Sequence, residues 1–315
     1  MTRFQRWAVA TTVATYLLIA VGGLVRASGA GLGCPDWPKC FDRWIPPTDV
    51  RDVPSHIDPA LFNVAKAWTE YINRLIGVVI GLLIFVTLVL AIRHHRRDPR
   101  ILWTTLAAFL LVGFEGWLGG QVVAAQLAPL VLSAHLAVAL IIGGLLLYAT
   151  ACAFLDGGRP RTDLPPWRRP LGQATLVVSI LALAQVALGA IIRGEVQLLG
   201  KQSPPVPREE WLGRVGAIYS AHSSSAVLLT AITCALVWWV LERARGDAAL
   251  RKTAWAVLGL TLAQPATGLG LAWLDVHPVF QVLHLWLGSL LVSALMLQAI
   301  VAFRAPPPAS VPPTG

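Results

Sequence analysis

Charged residues are scarce in this chain, and their scarcity excludes an ordinary soluble protein. Only 13% of the 315 residues are Asp, Glu, Lys or Arg, whereas 56% are hydrophobic. This composition leaves too little polar surface to cover a soluble domain, so we expect an integral membrane protein. The alternation of apolar and polar residues that is typical of membrane strands is also missing, which excludes a barrel and leaves helices to satisfy the backbone in lipid.

Long apolar runs, in contrast, are abundant. A helix needs about 20 residues to cross the hydrocarbon core of a bilayer. Eight runs reach that length, at roughly 7–26, 67–92, 101–125, 130–153, 171–192, 213–241, 253–274 and 279–303. We therefore predict an all-α membrane protein with eight spanning helices.

Basic residues are sorted between alternate loops. Most Lys and Arg lie at the amino terminus and in the loops at 93–100, 157–169 and 242–252. By the positive-inside rule, both termini are then cytoplasmic. This sorting accounts for the net charge of +9 without a nucleic-acid partner. The first run could be a cleaved signal peptide, but it is long for one and no A-x-A site follows it, which favours a retained helix.

The two halves of the chain repeat one pattern of polar residues. Asn73 and His135 are 62 residues apart, and so are His222 and His284. The pattern predicts two pseudo-symmetric four-helix bundles, at 1–155 and 171–304. A Gly/Pro/Arg-rich stretch at 156–170 is the expected cytoplasmic linker, and a Pro-rich tail at 305–315 is expected to be disordered.

Intramembrane histidines are the strongest functional signal. An imidazole in lipid is costly unless it is paired or binds a metal. One imidazole on each of two facing helices is a typical axial grip on haem iron, so we predict that His222 and His284 bind a haem. Zinc is the weaker alternative, because a structural zinc site usually has four ligands.

Two cysteines lie in the motif CPDWPKC of the first outer loop. A disulfide between Cys34 and Cys40 is compatible with their separation, and it would be either a structural staple or a redox-active pair. Cys152 and Cys234 lie within predicted helices, where we expect inert packing residues.

The run WTEYINR places Glu70, Asn73 and Arg74 on one face of the second helix. Glu70 is a candidate general acid or base, and Arg74 could bind an anionic group such as a haem propionate. The alternative is a simple helix ion pair between them. Arg26 and Arg193 close related helix ends and are either snorkelling anchors or further propionate partners. Glu115 has no partner that the sequence reveals, and we assign it no role.

These motifs together resemble the haem A synthase family over about residues 7–303. The likeness rests on GLGCPDWPKC in the first outer loop, EYINR on helix two where the family has Glu-x-x-His-Arg, WLGG on helix three, and His on helices four, six and eight. The resemblance implies an oxidoreductase of the bacterial plasma membrane that converts haem O to haem A for cytochrome oxidase assembly. The C8 methyl of haem O becomes a formyl group.

The resemblance also implies roles for individual residues. A b-type haem lies between His222 and His284, haem O binds on the amino-terminal side with His135, the loop cysteines form a redox disulfide, and Glu70 is needed for activity. Haem O synthase, an unidentified electron acceptor and membrane lipid are the expected partners. Asn73 departs from the family's His, which leaves His135 as the only imidazole of the first bundle. A different class of function is a non-catalytic electron carrier that uses only the second-half haem.

Overall fold

Eight membrane-spanning helices form the protein. The structure is a computed structural model that describes residues 1–155, 164–204 and 206–304. Within these ranges, eight helices are long and apolar enough to cross a membrane, and no strand is formed. They are α1 (Arg3–Ala27), α2 (Val64–His95), α3 (Pro99–Ala124), α4 (Pro129–Phe154), α5 (Arg168–Leu199), α7 (Ala217–Arg243), α8 (Ala248–Trp273) and α9 (Pro278–Phe303), with a short α6 (Trp211–Val215) before α7. The predicted all-α, multi-pass fold is confirmed.

Several helix boundaries differ from those predicted, and two of them have a clear physical reason. α5 was expected to end at residue 192 and continues to Leu199, because Arg193 and Glu195 end the apolar run without interrupting helical geometry. The sixth span was expected from residue 213 and begins at Ala217, because Gly216 has φ +68 and separates α6 from α7. Such a φ is readily adopted only by glycine. The predicted tail and linker positions 156–163 lie outside the described residues.

Proline fixes the start of the two helices that carry His135 and His284. α4 begins at Pro129 and α9 at Pro278, each in the first turn where the missing N–H costs nothing. Each histidine follows its proline by six residues. At a rise of about 1.5 Å per residue, both imidazoles lie roughly 9 Å from the start of their helix. Equal depth follows from equal spacing.

The helices pack in two closed rings. In the first, α1 contacts α2, α2 contacts α3, α3 contacts α4, and α4 returns to α1; in the second, α5, α7, α8 and α9 are connected in the same way. α2 and α4 are therefore diagonal partners, as are α7 and α9. The predicted boundaries of the two bundles and their pseudo-symmetry stay predictions.

The two rings meet mainly where α1 lies against α9. The indole N–H of Trp286 donates to the carbonyl of Tyr16 at 2.9 Å, and the hydroxyls of Ser293 and Tyr16 are bonded at 2.6 Å. At the opposite, basic end of the second ring, Arg168 pairs with Asp247 at 2.7 Å and donates to the carbonyls of Val301 and Ala302. These bonds hold α9 against α1 of the first ring and against α5 of its own ring.

Candidate functional site

The imidazoles of His222 and His284 face each other across the second ring. Their ring centroids are 6.3 Å apart and their planes are inclined by 69°. A metal–imidazole nitrogen bond is about 2.0–2.1 Å and each centroid lies about 1.1 Å behind its nitrogen, so two axial imidazoles on one iron have centroids roughly 6.4 Å apart. The observed separation fits a metal held between the two imidazoles.

Neighbouring side chains hold both of these helices in place. The amide of Gln185 donates to the carbonyl of His222 at 2.6 Å, and that of Gln264 donates to the carbonyl of His284 at 3.2 Å. Thr267 Oγ1 lies 3.0 Å from Nδ1 of His284 while its own hydrogen is directed to helix carbonyls. A hydroxyl that donates to a helix carbonyl can only accept from Nδ1–H, and this tautomer of His284 leaves Nε2 free to bind a metal.

Glycines make room for the histidine rings. A Cβ on Gly189 or Gly268 would lie 3.4 Å from Cε1 of His222 or His284, respectively, and one on Gly119 would lie 3.5 Å from Cε1 of His135. Each glycine is on a helix adjacent to that of its histidine. At all three histidines, the imidazole thus lies close to the backbone of a glycine on the neighbouring helix.

The diagonal partner of His135 is not an imidazole. α2 presents Asn73, whose Oδ1 is buried and has no hydrogen-bonding partner in the described part of the chain. On α1, Gly22 corresponds to Gly189 of the related motif LGAIIR. A Cβ on Gly22 would have no neighbour within 4 Å, so the space that an imidazole uses beside Gly189 is not filled here.

Sequence reasoning missed the partner of Glu115. The structure places its Oε1 3.0 Å from Nδ1 of His135, an ion-pair contact between α3 and α4. An offset of 149 residues relates His135 to His284, and the same offset relates Glu115 to Gln264. Comparing the two halves on the helices that precede His135 and His284, and not only on the histidine helices themselves, could have identified the pair.

The first outer loop is closed by a disulfide. Cys34 and Cys40 are bonded with an S–S distance of 2.00 Å, and both are fully buried. The predicted bond is confirmed. Within the loop, the Asp36 carboxylate accepts the backbone N–H groups of Phe41 at 2.6 Å and Asp42 at 2.9 Å, which holds the turn that the disulfide spans.

Glu70 and Arg74 fasten this loop to α2. The backbone N–H of Cys34 donates to Glu70 Oε2 at 3.0 Å, and Arg74 donates to the carbonyls of Asp36 and Lys39 at 2.9 and 2.8 Å. The two side chains also pair with each other at 2.5 Å. The ion pair considered from the sequence is therefore present, and it extends to the loop.

The loop lies over the outer end of the first ring. Gly33 approaches the backbone of Lys66 so closely that any side chain there would clash. On the other side, the Trp37 ring packs on Gly120, whose added Cβ would be 3.0 Å from the indole. Gly120 follows Gly119, which contacts His135. The disulfide loop thus bridges α2 and α3 next to the first-ring histidine.

Arg26 and Arg193 lie at the outer ends of α1 and α5 and are half-buried. Arg26 donates to Gln197 at 3.1 Å, but its Nε is buried and unbonded. Among the residues that the structure covers, Arg193 has no hydrogen bond or salt bridge, and neither arginine has a carboxylate partner. Unneutralised, partly buried guanidinium groups favour the anion-binding interpretation over simple anchoring.

Comparison with known proteins agrees with this geometry. The family model described as "Cytochrome oxidase assembly protein" matches residues 5–296. The chain belongs to this family.

Relatives within the family share a common printed name. The chain is 33% identical to a "Heme A synthase" of Shewanella oneidensis over 198 residues, which cover 60% of the chain and 54% of that protein. It is 22% identical to one from Shouchella clausii over 306 residues, with 95% of the chain and 97% of the relative covered, and 29% identical to one from Methylobacterium nodulans over 330 residues, with 91% and 87% covered. The matched part spans about half of the Shewanella protein but nearly all of the Shouchella one.

The described residues also bear on the zinc alternative. In ranges 1–155, 164–204 and 206–304, no group of three or more His, Cys, Asp or Glu side chains is arranged to hold a metal ion. The two facing imidazoles of His222 and His284 are fewer than the four protein ligands of a typical structural zinc site.

The disulfide makes a labelling pattern predictable. In the folded protein, a maleimide should label Cys34 and Cys40 only after reduction, because a disulfide has no free thiol. Cys152 is buried and Cys234 partly buried in a spanning helix, so neither should react without denaturation. Peptide mass spectrometry of labelled protein checks both. Labelling of Cys34 before reduction would contradict the bond, and a Cys152→Ser, Cys234→Ser variant should give an unchanged pattern.

Proposed function

We propose that this protein is a haem A synthase, which oxidises the C8 methyl of haem O to a formyl group. The observation that carries the proposal is the two-imidazole geometry of the second ring within a chain whose family match extends from residue 5 to residue 296. Relatives covering more than nine-tenths of the chain bear the name Heme A synthase. Conversion of the methyl to a formyl group is a four-electron oxidation that adds one oxygen atom; with water as the source of that oxygen it releases four protons and four electrons, so the enzyme then also needs an electron acceptor.

The second ring is the proposed site of a b-type haem. His222 and His284 would bind its iron through Nε2, with Thr267 fixing the tautomer of His284. Once bound, this haem supplies one-electron transfer. Held by both imidazoles, such a haem would be suited to electron transfer rather than to binding and oxidising a substrate.

The first ring is the proposed site of the substrate. His135 would bind the iron of haem O. Asn73 would leave the opposite side of the iron to water, from which its unpaired Oδ1 can accept a hydrogen bond. Arg26 lies near the outer end of α1 in the first ring and Arg193 near that of α5 in the second ring, and their unneutralised guanidinium groups can bind propionates. Arg74 is a weaker candidate for binding a propionate, because loop carbonyls and Glu70 already accept hydrogen bonds from its guanidinium group.

Glu70 is the proposed proton-handling group. Both of its oxygens accept hydrogen bonds, from Cys34 and from Arg74, so it would act at the point where the disulfide loop meets α2. A redox change of the disulfide would alter the position of the Cys34 N–H and thereby that of the carboxylate. We therefore propose a redox role for the loop in addition to that of a structural staple.

The protein is a multi-pass membrane protein, and we propose the plasma membrane with both termini cytoplasmic. The disulfide then lies on the oxidising side, in agreement with where disulfides persist. Haem O synthase is the proposed upstream partner, since its product is the substrate, and surrounding lipid is in contact with the exposed apolar helix faces. The ordered loop, the glycine beside His135 and the Glu115 contact support a working first ring over the degenerate one of an electron carrier.

Haem analysis tests the proposed function. The chain is co-expressed with a haem O synthase in a bacterium that makes no haem A, and the membrane haems are extracted and separated by chromatography. We expect haem A to appear, and to disappear in a His135→Ala variant. A protein that carries a low-spin b-type haem but leaves haem O unconverted would be an electron carrier, and the proposal would be wrong.

A further inference from the structure

The carboxylate of Glu115 lies inside the membrane beside one histidine. Its side chain is only 14% exposed, and Oε1 is 3.0 Å from Nδ1 of His135. Oε2 is buried and has no partner in the described part of the chain. A carboxylate in this position is costly to bury, because a single contact compensates it only in part. Such a cost is typical of a functional residue.

The three site histidines differ in what their Nδ1 contacts. His284 has the neutral hydroxyl of Thr267 at 3.0 Å, and Nδ1 of His222 is buried without a partner among the residues described. Only His135 has a carboxylate beside Nδ1, at 3.0 Å, and the angles of this contact are not those of a hydrogen bond. The internal repeat shows that this is a difference between the two rings, because the position equivalent to Glu115 is Gln264, whose amide bonds to the His284 carbonyl instead of its ring.

A carboxylate at Nδ1 changes an imidazole in two ways. When it accepts a hydrogen bond from Nδ1, it fixes the tautomer with the proton on that nitrogen, so that Nε2 is the metal-binding nitrogen, and it makes Nε2 a stronger donor to a metal. Orientation is further limited by Gly119, whose backbone lies against Cε1 of His135 one turn after Glu115 on α3. Glu115 and Gly119 thus act on the same ring from the same helix face.

We propose that Glu115 is a positioning residue for the substrate iron: it orients His135 and makes it a more strongly donating ligand than either histidine of the second ring. The need for it follows from Asn73. With only one protein ligand in the first ring, the bond from His135 must hold the substrate haem alone, and the carboxylate strengthens that bond. This inference rests on the proposed function in taking the first-ring ligand to be haem O.

Glu115→Gln is the decisive variant, because it keeps the shape of the side chain and reproduces the residue of the second ring. The protein is purified from cells that co-express haem O synthase, and the reduction potentials of its two haems are measured by spectroelectrochemistry. A stronger donor stabilises the ferric state, so the substrate haem should shift to a higher potential in the variant. The Fe–His stretching band of the reduced substrate haem should move to lower frequency. The b-type haem should keep its potential and thereby serve as an internal control for folding.

A second variant and a matched control complete the test. Glu115→Ala, which leaves Nδ1 without a partner, should weaken retention of haem O by about 10–100-fold, the usual effect of removing such a partner, while haem b stays at full occupancy. Glu195→Gln removes an exposed carboxylate from α5 and should change neither haem.

Unchanged potential and stretching band of the substrate haem in Glu115→Gln would overturn the inference. Haem A synthesis is recorded separately. If the potential shifts but wild-type protein makes no haem A, the proposed function fails and the positioning role stands. If haem A is made and the potential does not shift, the positioning role fails alone.

Discussion

Replacing His222 or His284 with Ala should abolish the low-spin b-type spectrum of the purified protein. Their centroid separation of 6.3 Å leaves room for one iron between the two imidazoles, so each histidine would supply one of its two protein ligands. Removal of one leaves a five-coordinate, high-spin haem or none. Optical spectra of the reduced and oxidised protein, with the haem content from a pyridine haemochrome assay, measure the change.

His56→Ala is the matched control for this pair. His56 lies in the first outer loop, where its exposed ring bonds to Asp42 at 2.7 Å, and its removal should leave the spectrum intact. A low-spin spectrum that survives in both single variants of the axial pair would show that other residues bind the haem. Loss of the spectrum in His56→Ala as well would indicate that the assay reports folding and not ligation.

Asn73→His should suppress carbon monoxide binding to the substrate haem. A neutral amide is a poor ligand for iron, so wild-type protein loaded with haem O and reduced should bind carbon monoxide at the axial position opposite His135. The repeat places position 73 where the second ring has His222, and no atom lies within 4 Å of a Cβ on Gly22. An imidazole introduced there has space to reach the iron and close the site.

The variant Asn73→Ala separates ligation from simple bulk. It lacks any ligand atom, so carbon monoxide binding should persist in it as in the wild type. The measurement is the carbon monoxide difference spectrum of reduced protein, with the second-ring haem expected to stay unreactive because both of its axial positions are filled. Wild-type protein in which both haems are six-coordinate and low-spin would mean that another residue supplies the ligand, and the open-site interpretation would be wrong.

The helices and the disulfide could be predicted from sequence because each depends on short-range information. Apolar run length gave all eight spans, and the spacing of Pro129 to His135 and of Pro278 to His284 gave equal depth. Helix ends were less certain, as α5 shows, because a charged residue ends hydropathy but not a helix. The matched separation of polar residues indicated which helices carry the candidate ligands.

The contacts of the first ring depend on rotation and loop path, which hydropathy does not record. Glu115 meets His135 only because α3 turns that face toward α4, and no local pattern fixes the rotation of an almost wholly apolar helix. Arg74 was considered as a propionate partner, but the loop carbonyls of Asp36 and Lys39 already accept from it. A long loop folding back onto α2 brings them there.

We propose that the two helix rings hold different haems, a b-type haem between His222 and His284 and the haem O substrate on His135. The most direct test extracts the haems from purified wild-type, His135→Ala and His222→Ala proteins made with haem O synthase, and identifies them by chromatography and mass. We predict that His135→Ala loses haem O and haem A but keeps haem b, and that His222→Ala, which retains one of the two haem b ligands, contains less haem b or none and keeps the haem O-derived species. Loss of the same haem from both variants would contradict the claim.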